Sequence, residues 1–290
     1  MNDNESLYKF FPYNPHDLDA LSNNYLWFSE YSAFNDPFED VYLENVLNRE
    51  LGPYDEVKAI KLYKEMHRGQ RPNHQIEEVL FELKVRGELE EQYNQTIRRT
   101  FEFAKSIISE HLTESRVCCF AKNHEHKQAL ENRLMWSHYA DGLRGFCIEY
   151  DGDQLINGIY RIMGEKVGLC PMNYNTLKRQ DFEELIFNTA KRLNGNSEEQ
   201  GLLFGSLILT KSLEWEYENE FRLIYPKENE VSIDSNSIKS ITVGAKMSQR
   251  KLNTLISILK GNSNISCPIY VAKIDPVSFE IQRELLCKEI

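Results

Sequence analysis

Glu218-Asn-Glu-Phe-Arg-Leu-Ile-Tyr225, followed by Pro226, is the segment of this chain with the clearest β-strand pattern. Successive side chains of a strand point to opposite faces, so Glu218, Glu220 and Arg222 are expected on one face and apolar side chains on the other. Proline cannot donate a backbone hydrogen bond to a neighbouring strand, so the strand should stop at Pro226. The segment therefore predicts a strand with one apolar face and one face that carries two carboxylates and a guanidinium.

Short apolar or alternating runs of the same kind recur on both sides of this segment, separated by amphipathic patterns of unequal length. The predicted strands cover residues 7–11, 25–29, 116–120, 144–150, 221–225, 238–243, 269–274 and 279–286, and the predicted helices cover residues 128–140, 181–193, 198–211 and 248–259. Asp151-Gly152 is expected to turn the chain after one of these strands. The irregular alternation predicts an α+β fold with a central mixed or antiparallel sheet flanked by helices.

Residues 41–114 differ from the rest of the chain, because charged residues are dense, glycine is sparse and apolar residues recur at helical spacing. Ile76, Leu80 and Leu83 are one such set. No linker rich in Ser, Gly or Pro brackets the region, so we expect a helical insertion within a single α+β domain that spans residues 1–290. A separate helical subdomain is the alternative.

The composition excludes several classes of protein. Lys and Arg number 34 against 45 Asp and Glu, a formal net charge of −11, so the chain does not hold duplex DNA through overall positive charge. Hydrophobic residues make up 41% and aromatic residues 11%, which is sufficient for a packed core. No apolar run is long enough to span a membrane, the N-terminus lacks a signal-peptide pattern, and the six cysteines have no regular spacing. We therefore expect a cytoplasmic protein with no disulfide framework and no membrane partner.

The polar face of the predicted strand is the first candidate site. Two carboxylates and a guanidinium in one row can shift each other's pKa values and can orient a sugar or a phosphate. Lys211 precedes the strand. Trp215 lies in the sequence between Lys211 and the strand, and it either covers a pocket or packs in the core. The alternative is a solvent-facing strand whose Glu–Arg pair contributes little to stability.

The segment Phe34-Asn-Asp-Pro-Phe-Glu39 is the second candidate. Its aromatic side chains can anchor a loop while Asn35, Asp36 and Glu39 point into a cleft. An Asn side chain offers a donor and an acceptor, which suits a carboxamide or a ribose hydroxyl. The alternative is an Asx-turn with a helix N-cap, ahead of a short helix that starts after Pro37.

The third candidate is the aromatic run around His138, on a predicted helix that ends at Asp141-Gly142. Met135 and Tyr139 stack four residues apart on that helix, and Trp136 lies beside them. His138 could act as a general base near neutral pH. The alternative is that His138 is a packing residue.

Cysteine and histidine do not form a recognisable metal site. Cys118 and Cys119 are adjacent, so on a strand they would point to opposite faces and could not easily share one ion with His124 or His126. The chain also lacks the phosphate-binding loop, the dinucleotide-binding glycine motif, the nucleophile elbow and the zinc-protease motif. P-loop ATPases, Rossmann oxidoreductases, α/β-hydrolases and zinc proteases of the ordinary kinds are therefore disfavoured.

A series of motifs runs in a fixed order along nearly the whole chain. The motifs are Leu7-Tyr-Lys-Phe10, Leu26-Trp-Phe-Ser29, Phe34-Asn-Asp-Pro-Phe-Glu39, Cys119-Phe120, Met135-Trp-Ser-His-Tyr-Ala140, Gly145-Phe-Cys-Ile148, the set Lys211, Trp215, Glu218, Glu220 and Arg222, and Val243-Gly244. Together they resemble a widespread bacterial family that is known only as a domain of unknown function. That resemblance implies no activity.

The order of elements also resembles the ADP-ribosyltransferase fold, which opens with a strand, a short helix and a second strand and carries a glutamate on a strand late in the chain. Lys9 stands where that fold usually has His or Arg. This second resemblance implies a site that binds NAD and breaks its nicotinamide–ribose bond. It implies Glu220 as the catalytic carboxylate and Glu218 as the partner that orients the acceptor. The other implied contacts are Lys9 and Arg222 on the pyrophosphate, Asn35 on the carboxamide, and Tyr8, Trp136 or Tyr139 on a ring. Cleavage of that bond develops oxocarbenium character, which a fixed carboxylate stabilises.

Three functions follow as hypotheses. The first is a nucleotide-dependent, NAD-consuming transferase that modifies a nucleic acid or a protein, as in a bacterial toxin or a phage-defence effector. The second is a metal-dependent nuclease or phosphodiesterase, in which Lys211 or Arg222 binds phosphate and Mg²⁺ is held by Asp36, Glu39, Glu218 and Glu220. The third is a non-catalytic sensor or scaffold that uses the helices of residues 41–114 as its partner surface. Both catalytic hypotheses require residues 8–10, 35–39 and 218–222 to share one cleft.

Overall fold

The computed structural model describes residues 5–124, 128–175, 183, 209–226 and 228–288 of the chain. They belong to two compact units, of which the first takes residues 1–30, 115–175 and 211–290 and the second takes residues 31–114 and 176–210. The single domain with an insertion at 41–114 stays a prediction. The predicted helix at 181–193, apart from residue 183, and most of the one at 198–211 lie outside the described residues; the end of the latter, residues 210–211, is in a strand and not in a helix.

An eight-stranded sheet forms the centre of the first unit. Its strands are β1 (Ser6–Phe11), β3 (Ser115–Ala121), β4 (Phe146–Asp151), β5 (Gly168–Pro171), β8 (Glu220–Pro226), β10 (Ile238–Gly244), β11 (Ile269–Ile274) and β12 (Ile281–Cys287). Their order across the sheet is β12-β11-β10-β4-β1-β3-β8-β5. Strands β10 and β11 run parallel, and the other neighbours run antiparallel. The predicted mixed sheet is confirmed.

Within the described residues, two short strand pairs and four α-helices complete the first unit. The pairs are β2 (Tyr25–Trp27) with β9 (Glu230–Ser232), and β6 (Asn173–Asn175) with β7 (Thr210–Ser212). The helices are α1 (Pro15–Asn23), α7 (Arg133–His138), α8 (Gly152–Met163) and α9 (Gln249–Gly261). None of the helices in the described part of the chain combines the length and the apolar character that a membrane crossing requires.

The two faces of the sheet are covered by different elements. On the first face, Leu7 and Phe11 of β1 and the odd-numbered apolar residues of β8 form a large core with buried side chains of α1, α8 and α9. On the second face, Tyr8 and Phe10 pack with Met135 and Trp136 of α7 in a smaller core. Strand alternation therefore places Glu220 and Arg222 of β8 on the second face, opposite Phe221.

Most of the described residues of the second unit are helical. It contains α2 (Pro37–Leu47), α3 (Glu56–His67), α4 (Asn73–Arg86), α5 (Leu89–Gln92) and α6 (Arg98–Glu114). A π-helical turn, Tyr93–Ile97, joins α5 to α6. The apolar stripe expected here is confirmed, because Ile76 and Leu80 are buried.

Two predicted elements differ from the structure because side chains cap backbone groups. The helix predicted over 128–140 is broken at Asn132, whose side-chain oxygen accepts hydrogen bonds from the backbone of the next helical turn and starts α7 there. The turn predicted at Asp151-Gly152 is instead the start of α8, since the Asp151 carboxylate accepts from the backbone N–H of Gln154 at 2.9 Å. Strand β2 is also shorter than predicted, and one of its residues, Trp27, is 51% exposed.

Candidate functional site

Glu218 and Glu220 reach one site from different elements. Glu218 ends a 3₁₀-helix, Leu213–Glu218, and β8 begins at Glu220. Asn219 between them has a left-handed backbone (φ 41°), and its side chain donates to two backbone carbonyls after β3 at 3.1 and 3.0 Å. The expectation that Glu218 lies in the strand was therefore wrong, although Glu218 and Glu220 still converge.

A buried ion cluster joins Lys211, Glu218, Glu220 and Arg222. Lys211 Nζ lies 2.8 Å from Glu218 Oε2 and 2.7 Å from Glu220 Oε2. Arg222 Nε donates to the other oxygen, Oε1, of Glu220 at 2.7 Å. No side chain of the four is more than 5% exposed. The cluster is thus a fixed row of alternating charge, and the alternative of a solvent-facing pair does not describe it.

The ion cluster moves the pKa values of its two carboxyl groups in opposite directions. Burial acts to raise the pKa of Glu220, but the charges of Arg222 and Lys211 and the hydrogen bond from Arg222 outweigh it and lower this pKa to about 2. At Glu218 burial prevails, so its pKa is raised although Lys211 opposes the shift. Glu220 is therefore ionised at neutral pH, and Glu218 is the member that takes up a proton first as the pH falls.

Glu218 is the one member of the four that lines a cavity of about 620 Å³. Its Oε1 accepts a hydrogen bond from the hydroxyl of Tyr139, the residue that follows α7. Both oxygens of this carboxylate are therefore oriented by donors while the group borders open space. A carboxylate held in this way can bind a ribose hydroxyl or stabilise a developing positive charge.

The rest of the cavity wall combines apolar, aromatic and charged side chains. Leu134 and Leu213 are exposed apolar residues there, and Tyr217 contributes a partly buried ring. Lys122 and Arg133 add positive charge, and Glu214 and Glu216 add negative charge. Apolar walls with a few convergent polar groups are typical of small-molecule sites, and the volume lies within their usual range of about 300–1,000 Å³.

The aromatic run supplied three candidates, Trp136, His138 and Tyr139. Among the described contacts, Tyr139 is the one that reaches the ion cluster. Trp136 is buried, donates its indole N–H to the carbonyl of Leu130 at 2.8 Å and meets Phe10 edge-on, so it is a core residue. His138 is exposed, and its ring centre lies 6.1 Å from that of Tyr217 at the cavity wall.

Tyr8 and Lys9 are on opposite faces of the sheet. Tyr8 is paired in register with Ala121, which is paired with Glu220, so Tyr8 lies in the same row on the second face, roughly 10 Å away across two strand spacings. The Tyr8 hydroxyl donates to Glu149 at 3.4 Å. Lys9 points to the first face, so the structure does not bring it to the ion cluster.

Asn35, Asp36 and Glu39 belong to the second unit. The Asp36 carboxylate accepts from the backbone N–H of Phe38 at 3.0 Å and caps α2, which is the Asx-turn alternative. Asn35 is exposed and Glu39 is buried. Their contribution to a nucleotide site stays a prediction.

Several residues at the site were not identified from the sequence. Those at the cavity wall are Lys122, Asn132, Arg133 and Tyr217, and the one at Glu220 is Tyr174, whose hydroxyl accepts from the backbone N–H of Glu220 at 2.7 Å. Asn132 could have been found from its capping position ahead of a helix pattern. The others required the register of β3, β5 and β8.

The position of Lys211 in the ion cluster bears on the metal hypothesis. The ammonium of Lys211 already lies between the two carboxylates and binds one oxygen of each. The described residues contain no group of three or more His, Cys, Asp or Glu side chains arranged to hold a metal ion.

Comparison with known proteins adds one similarity. Residues 135–223 match the model of a family described as a protein of unknown function (DUF2971), and the matched segment contains the whole ion cluster and Tyr139. No curated protein and no solved structure matches the chain. The part of the chain that carries the ion cluster and Tyr139 is therefore similar to DUF2971.

Proposed function

We propose that the cavity beside Glu218 binds a nucleotide and that the protein is an NAD-consuming transferase of the ADP-ribosyltransferase type. The observation that carries this proposal is the position of Glu218, a carboxylate fixed by Lys211 and Tyr139 at the wall of a cavity of ligand size. Glu220, the expected catalytic residue, is bound by Arg222 and Lys211 and is not among the residues that line this cavity. We therefore assign the catalytic role to Glu218 and a positioning role, through Lys211, to Glu220.

The residues of the cavity suit the parts of a dinucleotide. Leu134, Leu213 and the ring of Tyr217 provide apolar and aromatic surface for a planar base. Lys122 and Arg133 provide positive charge for a pyrophosphate, on a wall that also carries Glu214 and Glu216. Glu218 is then the acceptor for the hydroxyls of the ribose.

In the proposed reaction the bond between nicotinamide and ribose breaks, and its electron pair leaves with nicotinamide. The ribosyl group develops positive charge, which the carboxylate of Glu218 stabilises. An acceptor nucleophile on a nucleic acid or a protein forms the new bond and releases its proton to solvent. With water as the nucleophile the product is free ADP-ribose.

The test is release of nicotinamide from NAD by the purified chain, measured by chromatography. Glu218→Gln keeps the size of the side chain but removes its charge, so we expect the rate to fall by about 100-fold or more. Glu228→Gln is the matched control, because Glu228 is exposed just beyond the other end of β8 and should leave the rate unchanged. Circular dichroism and calorimetric titration with NAD check that each variant folds and binds.

The dependence of the rate on pH separates the two carboxylates. If Glu218 is catalytic, the rate should rise with pH through a pKa above the ordinary range for glutamate, because burial raises the pKa of that group. A rate that is constant from pH 4 upward would point to Glu220, since its pKa is about 2. Absence of both NAD binding and nicotinamide release in the wild type would contradict the proposal and favour the sensor hypothesis.

A further inference from the structure

A second cavity, of about 700 Å³, lies on the first face of the sheet, where α1 and β2 cover β1 and β4. Its inner wall is formed by buried apolar side chains, among them Phe11, Leu26 and Ile148. Exposed side chains, including Asp19 and Glu230, line it as well and mark the side that is open to solvent. The chamber is thus apolar inside and acidic at its mouth.

Lys9 and Tyr150 bring two hydrogen-bond donors to this cavity. Lys9 Nζ donates to the backbone carbonyl of Cys119 at 3.2 Å and forms no direct ion pair with any of the described residues, although Asp17, which lines the same cavity, interacts with it electrostatically from farther away. Tyr150 is 2% exposed, and within the described part of the chain its hydroxyl has no hydrogen-bond partner. Burial raises the pKa of Tyr150 well above its usual value, so this hydroxyl keeps its proton.

The register of the sheet directs these two donors to one place. Leu7 is paired with Tyr150 and Lys9 with Ile148 on the antiparallel strands β1 and β4. Lys9 and Tyr150 are therefore diagonal neighbours on one face, with backbones roughly 7–8 Å apart, which long side chains can bridge. An ammonium and a hydroxyl that converge, with no carboxylate of the described residues within ion-pair distance of the ammonium, are complementary to a carboxylate, because both can donate to its oxygens.

We propose that this cavity binds an amphipathic monocarboxylate, with the carboxylate on Lys9 and Tyr150 and the apolar body between the sheet and α1. A ligand carboxylate in contact with Lys9 forms the direct ion pair that the more distant Asp17 does not supply. Asp19 and Glu230 at the mouth repel a second negative charge, so the site discriminates against dicarboxylates. This binding site is on the opposite face from the ion cluster and does not depend on the proposed transferase activity.

Calorimetric titration of the full chain with decanoate, decanol and decanedioate tests the head group. Decanoate is expected to bind with one site per chain. Decanol, which lacks the charge, should bind about 10- to 100-fold more weakly, the range expected for loss of charge-assisted hydrogen bonds. Decanedioate should also bind more weakly than decanoate. No binding of decanoate, or equal affinity for all three compounds, would overturn the proposal.

Variants test the residues. Lys9→Met should weaken decanoate binding about 10- to 100-fold and leave decanol binding almost unchanged, and Tyr150→Phe should have a smaller effect in the same direction. Lys246→Met removes an exposed lysine outside the cavity and serves as the control. Because Lys9→Met could disturb folding, Ala20→Trp offers an independent test, since it fills the cavity from α1 and should abolish binding of decanoate and decanol alike. Undiminished decanoate binding by folded Lys9→Met or by Ala20→Trp would refute this assignment.

Discussion

Removal of the Lys211 ammonium should destabilise the first unit more than removal of any surface lysine. Lys211 contacts two carboxylates at 2.8 and 2.7 Å, and all three side chains are at most 5% exposed. The ion cluster is neutral as it stands, and Lys211→Met leaves it with one negative charge in excess. Loss of one partner from a buried ion pair costs about 3–5 kcal/mol, because the remaining charge stays desolvated, so we expect the free energy of unfolding to fall by about that amount.

Lys273→Met is the matched control for this prediction. Lys273 also pairs with a glutamate, Glu284, but these side chains are 49% and 58% exposed. An exposed pair of this kind contributes less than about 1 kcal/mol. The double variant Lys211→Met, Glu218→Gln removes one charge of each sign and leaves the Glu220–Arg222 pair, so it should recover about 1–3 kcal/mol relative to Lys211→Met alone.

Amide hydrogen exchange of β8 in increasing urea is the suitable measurement, because a chain with two compact units need not unfold in one step. The three variants are compared with the wild type at neutral pH. If Lys211→Met costs no more than Lys273→Met, or if the double variant is less stable than Lys211→Met, the charges of the ion cluster are screened and the electrostatic account is wrong.

Two further predictions concern acid and packing. The pKa of Glu220 falls from 4.5 to about 2 on folding, so its contribution, about 3 kcal/mol, is complete above pH 4.5 and is lost as the pH falls toward 2. Urea unfolding across this range should show a shallower loss of stability for Glu220→Gln than for the wild type, and equal slopes would contradict the assigned pKa. Glu218 acts in the opposite sense, since a raised pKa makes stability fall as the pH rises through it, and Glu218→Gln should remove that effect. Gly244→Ala places a Cβ 2.2 Å from a backbone carbonyl oxygen, whereas Gly261→Ala meets nothing within 4 Å. We expect the first to cost about 3 kcal/mol or more and the second to be nearly neutral, and thermal unfolding of both variants checks this.

The ion cluster bears on function as well as on stability. Replacement of buried ion pairs by apolar residues is often neutral or stabilising, so such a cluster is weak evidence of a stabilising device. In this cluster Glu218 is the carboxylate with the raised pKa, and it also borders a cavity. We therefore propose that the cluster serves to orient Glu218. Measurements on Lys211→Met therefore inform both the stability argument and the proposed catalysis.

Local patterns in the sequence were sufficient for most of the strands and for the apolar stripes of the helices, because burial of one face imposes a period of two or of 3.6 residues. The same alternation separates Tyr8 from Lys9, and this could have been predicted once residues 7–11 were assigned to a strand. The cap at Asp36 was likewise available as an alternative, since capping depends on residues close in sequence.

Contacts between distant residues were decided by the tertiary structure alone. Tyr139 contacts Glu218, which lies 79 residues later in the sequence. The pairing of β1 with β4 makes Lys9 a diagonal neighbour of Tyr150. Nothing local specifies those pairings, because the register of a sheet follows from how whole strands bury their apolar faces. The sequence by itself therefore determined which charged groups this protein carries, and the packing of the sheet decided that Glu218, and not Glu220, lines the cavity of about 620 Å³.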